Sequence, residues 1–262
     1  MEEPFSYREG VYNMGKNKVA LVTGGTGGIG EEICRQLAST GCKVVANYFP
    51  ADKENAEAWK AAQKAAGYDI EVAPADVTDF DATGTMIADI ESNIGPIDVL
   101  VNCAGITRDA TIKNMTIDQW KAVIDTNLTS AFNVTKPVLL GMTTRGYGRI
   151  INISSVNGQR GQFGQPNYSA AKAGIHGFTM SAAYEGARKG VTVNTVAPGY
   201  VSTAMTEAMP ENVLASIIAG IPMGRMAQPA EIASAVLWLA DENNSYTTGA
   251  NIPVNGGLFI SA

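Results

Sequence analysis

The stretch that most constrains this chain runs from Lys18 to Ala38. Lys18-Val-Ala-Leu-Val-Thr23 is a short apolar run, the glycine-rich turn Gly24-Gly25-Thr26-Gly27-Gly28-Ile29-Gly30 follows at once, and Glu31-Glu-Ile-Cys-Arg-Gln-Leu-Ala38 has helical periodicity. A strand that turns through glycines straight into a helix fits few architectures. The glycines allow φ > 0 and let a ligand approach the backbone, and the helix N-terminus offers its positive end to a pyrophosphate. The spacing Gly24-x3-Gly28-x-Gly30 is one residue longer than the dinucleotide-binding G-x-G-x-x-G. A plain tight turn is the alternative.

The remaining periodicity repeats this unit. Strands are expected at 42–49, 69–73, 97–101, 150–154 and 191–196, with a further extended segment in 248–257. Helices are expected at 55–66, at 80–93, from about Asn114–Thr116 to about Met142, and from Pro229 to Ala240. Regular alternation predicts an α/β fold, a single doubly wound parallel sheet flanked by helices. One domain over 17–262 is expected behind an N-terminal extension, 1–16, in which Met14 could be an alternative start. Residues 201–226, rich in methionine and small residues, read as a flexible apolar lid or substrate loop, or as plain core.

Composition excludes several classes. A net charge of −6 argues against a nucleic-acid surface. No apolar run approaches the roughly 20 residues of a membrane span. Cys34, Cys42 and Cys103 fit no metal-ligand spacing, and with no signal pattern at the N-terminus they point to reduced thiols in a cytoplasmic protein.

The chemistry concentrates after the strand at 150–154. Tyr168 and Lys172 stand four apart, so on a helix both lie on one face. A buried ammonium beside a phenol favours the phenolate, which predicts a Tyr168 pKa lowered toward working pH and a general acid or base at a carbonyl. Ser155, at the strand end, could bond the same oxygen. An ordinary half-exposed helix face is the alternative.

Other positions are read around that centre. Asn47, Tyr48 and Phe49 end the second strand, where such folds read the adenosine ribose. Asn47 supplies neither the Asp that signals NAD nor an Arg for a 2′-phosphate, and Lys53 is flanked by Asp52 and Glu54, so the reading leans to NADH, with NADPH as alternative. Asp76, before Val77, could accept from an adenine amino group or cap the next helix. The turn Asn102-Cys103-Ala104-Gly105 could pack against the cofactor. Asn127, polar on an apolar stretch, is expected to kink its helix and could hold a water there. His176, the single histidine, lies two turns beyond Tyr168 with no partner motif for a catalytic triad or a metal.

Together, Thr23-Gly24-x3-Gly28-x-Gly30, Asp76-Val77, Asn102-x-Ala104-Gly105, Asn127, Ser155, Tyr168-x3-Lys172 and Pro198-Gly199 resemble the short-chain dehydrogenase/reductase family over about residues 17–260. The runs Asn102–Asp109, Thr126–Ser130 and Asn152–Tyr168 are similar to the bacterial acetoacetyl-CoA reductases of polyhydroxybutyrate synthesis. The resemblance implies a Rossmann-type domain and an NAD(P)H-dependent reductase giving an (R)-3-hydroxyacyl-CoA, with 3-oxoacyl-acyl-carrier-protein reduction as its nearest rival and a non-catalytic dinucleotide sensor as a remote one. It assigns catalysis to Asn127, Ser155, Tyr168 and Lys172. It adds Thr26, Gly27, Ile29, Pro198 and Gly199 to the cofactor contacts, with Lys172 on the nicotinamide ribose and Asn127 supporting a water relay. It places Gln162, Phe163, Gln165 and Tyr200 against the acetoacetyl group, Asp109 near the pantetheine path, and the whole in a homotetramer. Two departures stand out: Cys103 replaces a usual Asn, and no Arg follows the second strand. Asn133 stands where carrier-protein reductases place an arginine, with Lys189 a possible substitute for another.

Overall fold

The structure, a computed structural model, describes residues 12–15, 17–203, 206 and 209–260. Seven strands form one sheet: β1 (Val19–Val22), β2 (Lys43–Tyr48), β3 (Ile70–Pro74), β4 (Ile97–Asn102), β5 (Gly148–Ile153), β6 (Val191–Pro198) and β7 (Asn251–Val254). They lie in the order β3-β2-β1-β4-β5-β6-β7, every neighbouring pair parallel. Every residue of β1, β4, β5 and β6 is buried, which is why those strands read as continuous apolar runs.

Alternation along the strands then divides the core into two layers. Ala20, Val22, Val99, Val101, Ile151 and Ile153 pack with Ile33 and Leu37 of α1 (Gly28–Ser39) and with Ile232 and Leu237 of α9 (Pro229–Ala240). Val19, Leu21, Leu100 and Ile150 face Met86 and Ile90 of α3 (Phe80–Asn93) and Val134 and Val138 of α5 (Ser130–Arg145). The chain moves outward from β1 to β3, then returns to the other side of β1 with β4. The connections that leave the carboxyl ends of β1 and β4 therefore lead to helices on opposite faces of the sheet, α1 and α5, opening the crevice in which such sheets bind ligands.

Three expectations change. Residues 12–15 are not an extension outside the fold. Met14 is 1% exposed within the α1–α9 layer, Asn13 N–H donates to Asp241 at 2.7 Å, and its carbonyl accepts from Glu242 N–H at 2.7 Å. The remaining residues of the expected extension, 1–11 and 16, lie outside the described residues. The helix expected from 114 to 142 is α4 (Ile117–Ile124), a π-helical turn over Asp125–Thr129 and α5, continuous through Arg145. Within the expected lid, residues 211–219 form helix α8 (Glu211–Ala219), while 204, 205, 207 and 208 lie outside the described residues.

Candidate active site

The end of β5 grips helix α7 (Pro166–Ala187) at three successive residues. The Ile153 carbonyl accepts from Lys172 Nζ at 2.8 Å, Ser154 Oγ donates to the Lys172 main-chain oxygen at 2.8 Å, and the Ser155 hydroxyl, which accepts from Asn157 N–H at 3.1 Å, faces the phenol of Tyr168 closely enough to lower its pKa. The four-residue spacing of Tyr168 and Lys172 does put both on the helix face that meets the strand. Lys172 is buried, and that burial pushes its pKa down to about 8. Burial also pushes Tyr168 up to about 12, outweighing the lowering by the Ser155 hydroxyl. The expected depression of Tyr168 is therefore not produced by this arrangement. The ammonium is turned to the Ile153 carbonyl, 5.6 Å from the phenol ring centre, and loss of hydration disfavours the phenolate.

Asn127 reaches this centre from the π-helical turn. Its Nδ2 donates to the carbonyls of Ile106 (2.8 Å) and Val123 (2.9 Å), and it is 2% exposed. The wider turn supplies the extra acceptor that a regular helix would have used internally. Asn127 Oδ1 is buried without a protein partner. A Cβ at Gly105 would lie 2.6 Å from that oxygen and 3.6 Å from Lys172 Nζ. Position 105 is glycine because the backbone passes this pair closely.

A cleft of about 440 Å³ runs along the switch point. Gly24 and Gly27–Gly30 line one end, Cys103–Gly105 the floor, and Ser155, Tyr168, Lys172, Pro198, Gly199 and Tyr200 the other end. Gly27 caps α1 in extended backbone with no side-chain cap, so the first-turn N–H groups are left for an anion. That cradle fits a pyrophosphate. Thr23 Oγ1 accepts from the Cys103 and Ala104 N–H groups (3.0 and 3.1 Å), tying the β4 turn to β1. Burial pushes the Cys103 thiol up to about 11. Among the described residues no group of His, Cys, Asp and Glu could hold a metal ion.

Several expected positions lie elsewhere. Asn47 is 2% exposed, and its amide donates to the Ala75 carbonyl at 3.1 Å and accepts from Gly24 N–H at 3.4 Å. It holds the glycine turn from beneath. Tyr48 is buried, and the exposed residue at the end of this strand is Phe49. Asp76 does not cap α3; Asp79 does, accepting from Asp81 and Ala82 N–H groups. Asp76 Oδ1 instead accepts from the Thr78 N–H and hydroxyl, and Val77 beside it is buried. Asn133 is buried and donates to the carbonyls of Val77 and Thr78, so it cannot reach a docking partner. Lys189 lies against a separate groove beside Phe132. Thr26, Gln162 and Phe163 are not part of the cleft lining, and Phe163 is 88% exposed. Asp109 reaches the cleft only through Gln165, whose Nε2 donates to it at 2.8 Å while Asn157 Nδ2 donates to Gln165 Oε1 at 2.9 Å.

Sequence reasoning missed the polar support. Asn102 donates to Asn152 (2.7 Å), Asn152 to Thr179 (2.8 Å), and Thr195 bonds Thr179 (2.8 Å). Asn102, Asn152 and Thr195 are register partners on adjacent strands, so one polar residue near the end of each apolar run was the available signal. Asn167, fully buried, accepts from Tyr168 N–H (2.8 Å) and donates to the carbonyls of Arg108 and Gln119, fixing the start of α7.

A glycine turn at the β1 switch point with Asn, Ser, Tyr and Lys converging on one cleft defines a dinucleotide-dependent oxidoreductase. Residues 18–214 match the family described as short chain dehydrogenase, and the chain belongs to it. It is 63% identical over 243 residues to an acetoacetyl-CoA reductase of Allochromatium vinosum, covering 93% of this chain and 99% of that protein. It is 54% identical to an acetoacetyl-CoA reductase of Cupriavidus necator, over 93% and 98% of the two chains. It is 42% identical to a 3-oxoacyl-acyl-carrier-protein reductase of Haemophilus influenzae, over 94% and 100%.

Proposed function

We propose that this chain reduces acetoacetyl-CoA to (R)-3-hydroxybutyryl-CoA. The observation that carries the reading is the convergence of the Ser155 and Tyr168 hydroxyls at one end of the cleft, backed by Lys172. Gly27–Gly30 and the β4 turn would hold a reduced nicotinamide nucleotide, and the chemistry that group would supply is a hydride for the ketone carbon. Ser155 holds the ketone oxygen, and Tyr168, a protonated phenol across the working pH range, delivers the proton to it. Lys172 and the unpartnered Asn127 Oδ1 stand behind the phenol, where a proton returns. Gln165 and Tyr200 border the acyl group, and Asp109, bonded to Gln165, borders the path of the pantetheine arm.

Several finer points belong to the same reading. NADH is the preferred cofactor: Lys53 opens α2 (Lys53–Ala65) between Asp52 and Glu54, and Arg35 is held by Glu31 and Gln63. A 2′-phosphate then lacks a charge-assisted partner. The protein works as a cytoplasmic homotetramer, in keeping with exposed Phe132 and Leu140 on α5 and Met180 and Tyr184 on α7, and with β7 at a sheet edge. No helix among the described residues is long and apolar enough to cross a membrane. The carrier-protein reading is disfavoured by the lower identity to that reductase and by a net charge of −6 meeting an acidic partner.

Initial rates with acetoacetyl-CoA, run with NADH and with NADPH, test this. Turnover favouring NADH, abolished to a residue of about 10⁻² or less in Tyr168→Phe, is expected. Turnover only with acyl-carrier-protein substrates overturns the substrate assignment. Full activity in Tyr168→Phe overturns the mechanism.

A further inference from the structure

His176 is the single histidine of the chain, and no step above uses it. Its Nε2 lies 2.8 Å from Ser154 Oγ, and the same hydroxyl lies 2.8 Å from the Lys172 carbonyl oxygen. The direction of both bonds follows from proton count. A carbonyl only accepts and a serine carries one proton, so Ser154 donates to Lys172 and must accept from His176. The imidazole is therefore the Nε2–H tautomer. Burial holds its pKa below the ordinary value, in keeping with that neutral form.

The chain His176–Ser154–Lys172 closes on the catalytic helix itself. Lys172 and His176 are one turn apart on α7, and Ser154 stands across from them between Ile153 and Ser155. The other side of the Lys172 peptide is covered by Gly158, where a Cβ would lie 2.6 Å from the Lys172 carbonyl carbon. We infer that His176 is a positioning residue for the reduction: by donating to Ser154 it aims the Ser154 hydroxyl at Lys172 and fixes α7 against the strand end that carries Ser155. This rests on the reductase reading above. Without that donor, the 3%-exposed Ser154 oxygen keeps no second partner. The register of Ser155 against Tyr168 and Lys172 then loosens, and small misplacements of reacting groups cost rate steeply.

The test compares the full-length enzyme with His176→Leu, His176→Asn and His176→Gln, measuring kcat, KM for acetoacetyl-CoA and for the nucleotide, and melting temperature. Gln places an N–H donor at the reach of Nε2, whereas Asn falls short and Leu has none. We expect kcat to fall about tenfold in Leu and Asn with KM for the nucleotide within twofold, and to return to at least half the native value in Gln. Ser154→Ala should lose a similar factor, and Ser154→Ala/His176→Leu should lose no more than either alone, because both break one chain. Native kcat in the Leu and Asn variants overturns the inference, as does a loss in Gln equal to that in Leu or multiplicative loss in the double variant. Failure of the native enzyme to reduce acetoacetyl-CoA overturns the reductase reading first and this inference with it.

Discussion

The ammonium of Lys172 donates to the main-chain oxygen of Ile153 at 2.8 Å rather than pointing at the phenol of Tyr168. Burial brings the Lys172 pKa down to about 8 and that of the neighbouring Tyr168 up to about 12. The proposed reduction needs the phenol protonated and the lysine charged. The phenol satisfies this at all ordinary pH; the lysine does so only below about 8. The pH profile of kcat/KM for acetoacetyl-CoA, which reports the free enzyme, should be level near neutrality and fall above about pH 8. In Lys172→Met the descending limb should vanish at a much lower overall rate. A limb unchanged in that variant would assign it to another group.

Gly105 tests the approach of the β4 turn to Asn127. The added methyl of Gly105→Ala would meet Asn127 Oδ1 at 2.6 Å, so either the turn or the Asn must move. A loss of kcat of about 10- to 100-fold is expected, on the scale of an ångström of misplacement, with the protein still folded by circular dichroism. Native kcat in this variant would show that the Asn127 position is not needed.

Asp76 and Asp79 look alike in sequence and differ in role. Asp79→Ala removes the α3 cap and should lower stability by about 1 kcal/mol in urea titration, leaving nucleotide affinity unchanged. Asp76 Oδ1 accepts from the Thr78 N–H and hydroxyl, and in the proposed reading its carboxylate also meets the adenine amino group; Asp76→Ala should then weaken nucleotide binding, measured by fluorescence titration, with a smaller effect on stability. Reversed outcomes would exchange the two assignments.

Met14 lies in the core at 1% exposure. Met14→Ala should cost about 2 kcal/mol or more of unfolding free energy, the scale of truncating a buried methionine. Deleting residues 1–15 should cost at least as much. Equal stability of the deleted chain would place this residue outside the cooperative unit.

The sequence by itself determined the alternation of strands and helices, the doubly wound sheet and the group Asn127, Ser155, Tyr168 and Lys172 that lines one cleft. Those features are local: a two-residue period, a glycine turn, a four-residue helical spacing, and a serine at a strand end. Even the interruption at Asn127 was legible as a polar residue on an apolar stretch. Tertiary structure alone decided how buried polar groups are satisfied. Asn47 and Asn133 look like ligand-facing positions in the chain, yet each is turned inward because carbonyls of Ala75 and of Val77 and Thr78 await donors. Met14 became core only because it packs into the layer that α1 and α9 form against the sheet. The pKa of Tyr168 was misjudged for the same reason. Proximity in sequence indicated a charge nearby, but its orientation toward Ile153 and the loss of water around the phenol arise only when β5 and α7 come together. A lone histidine likewise gains a role only from the serine that packing sets 2.8 Å away.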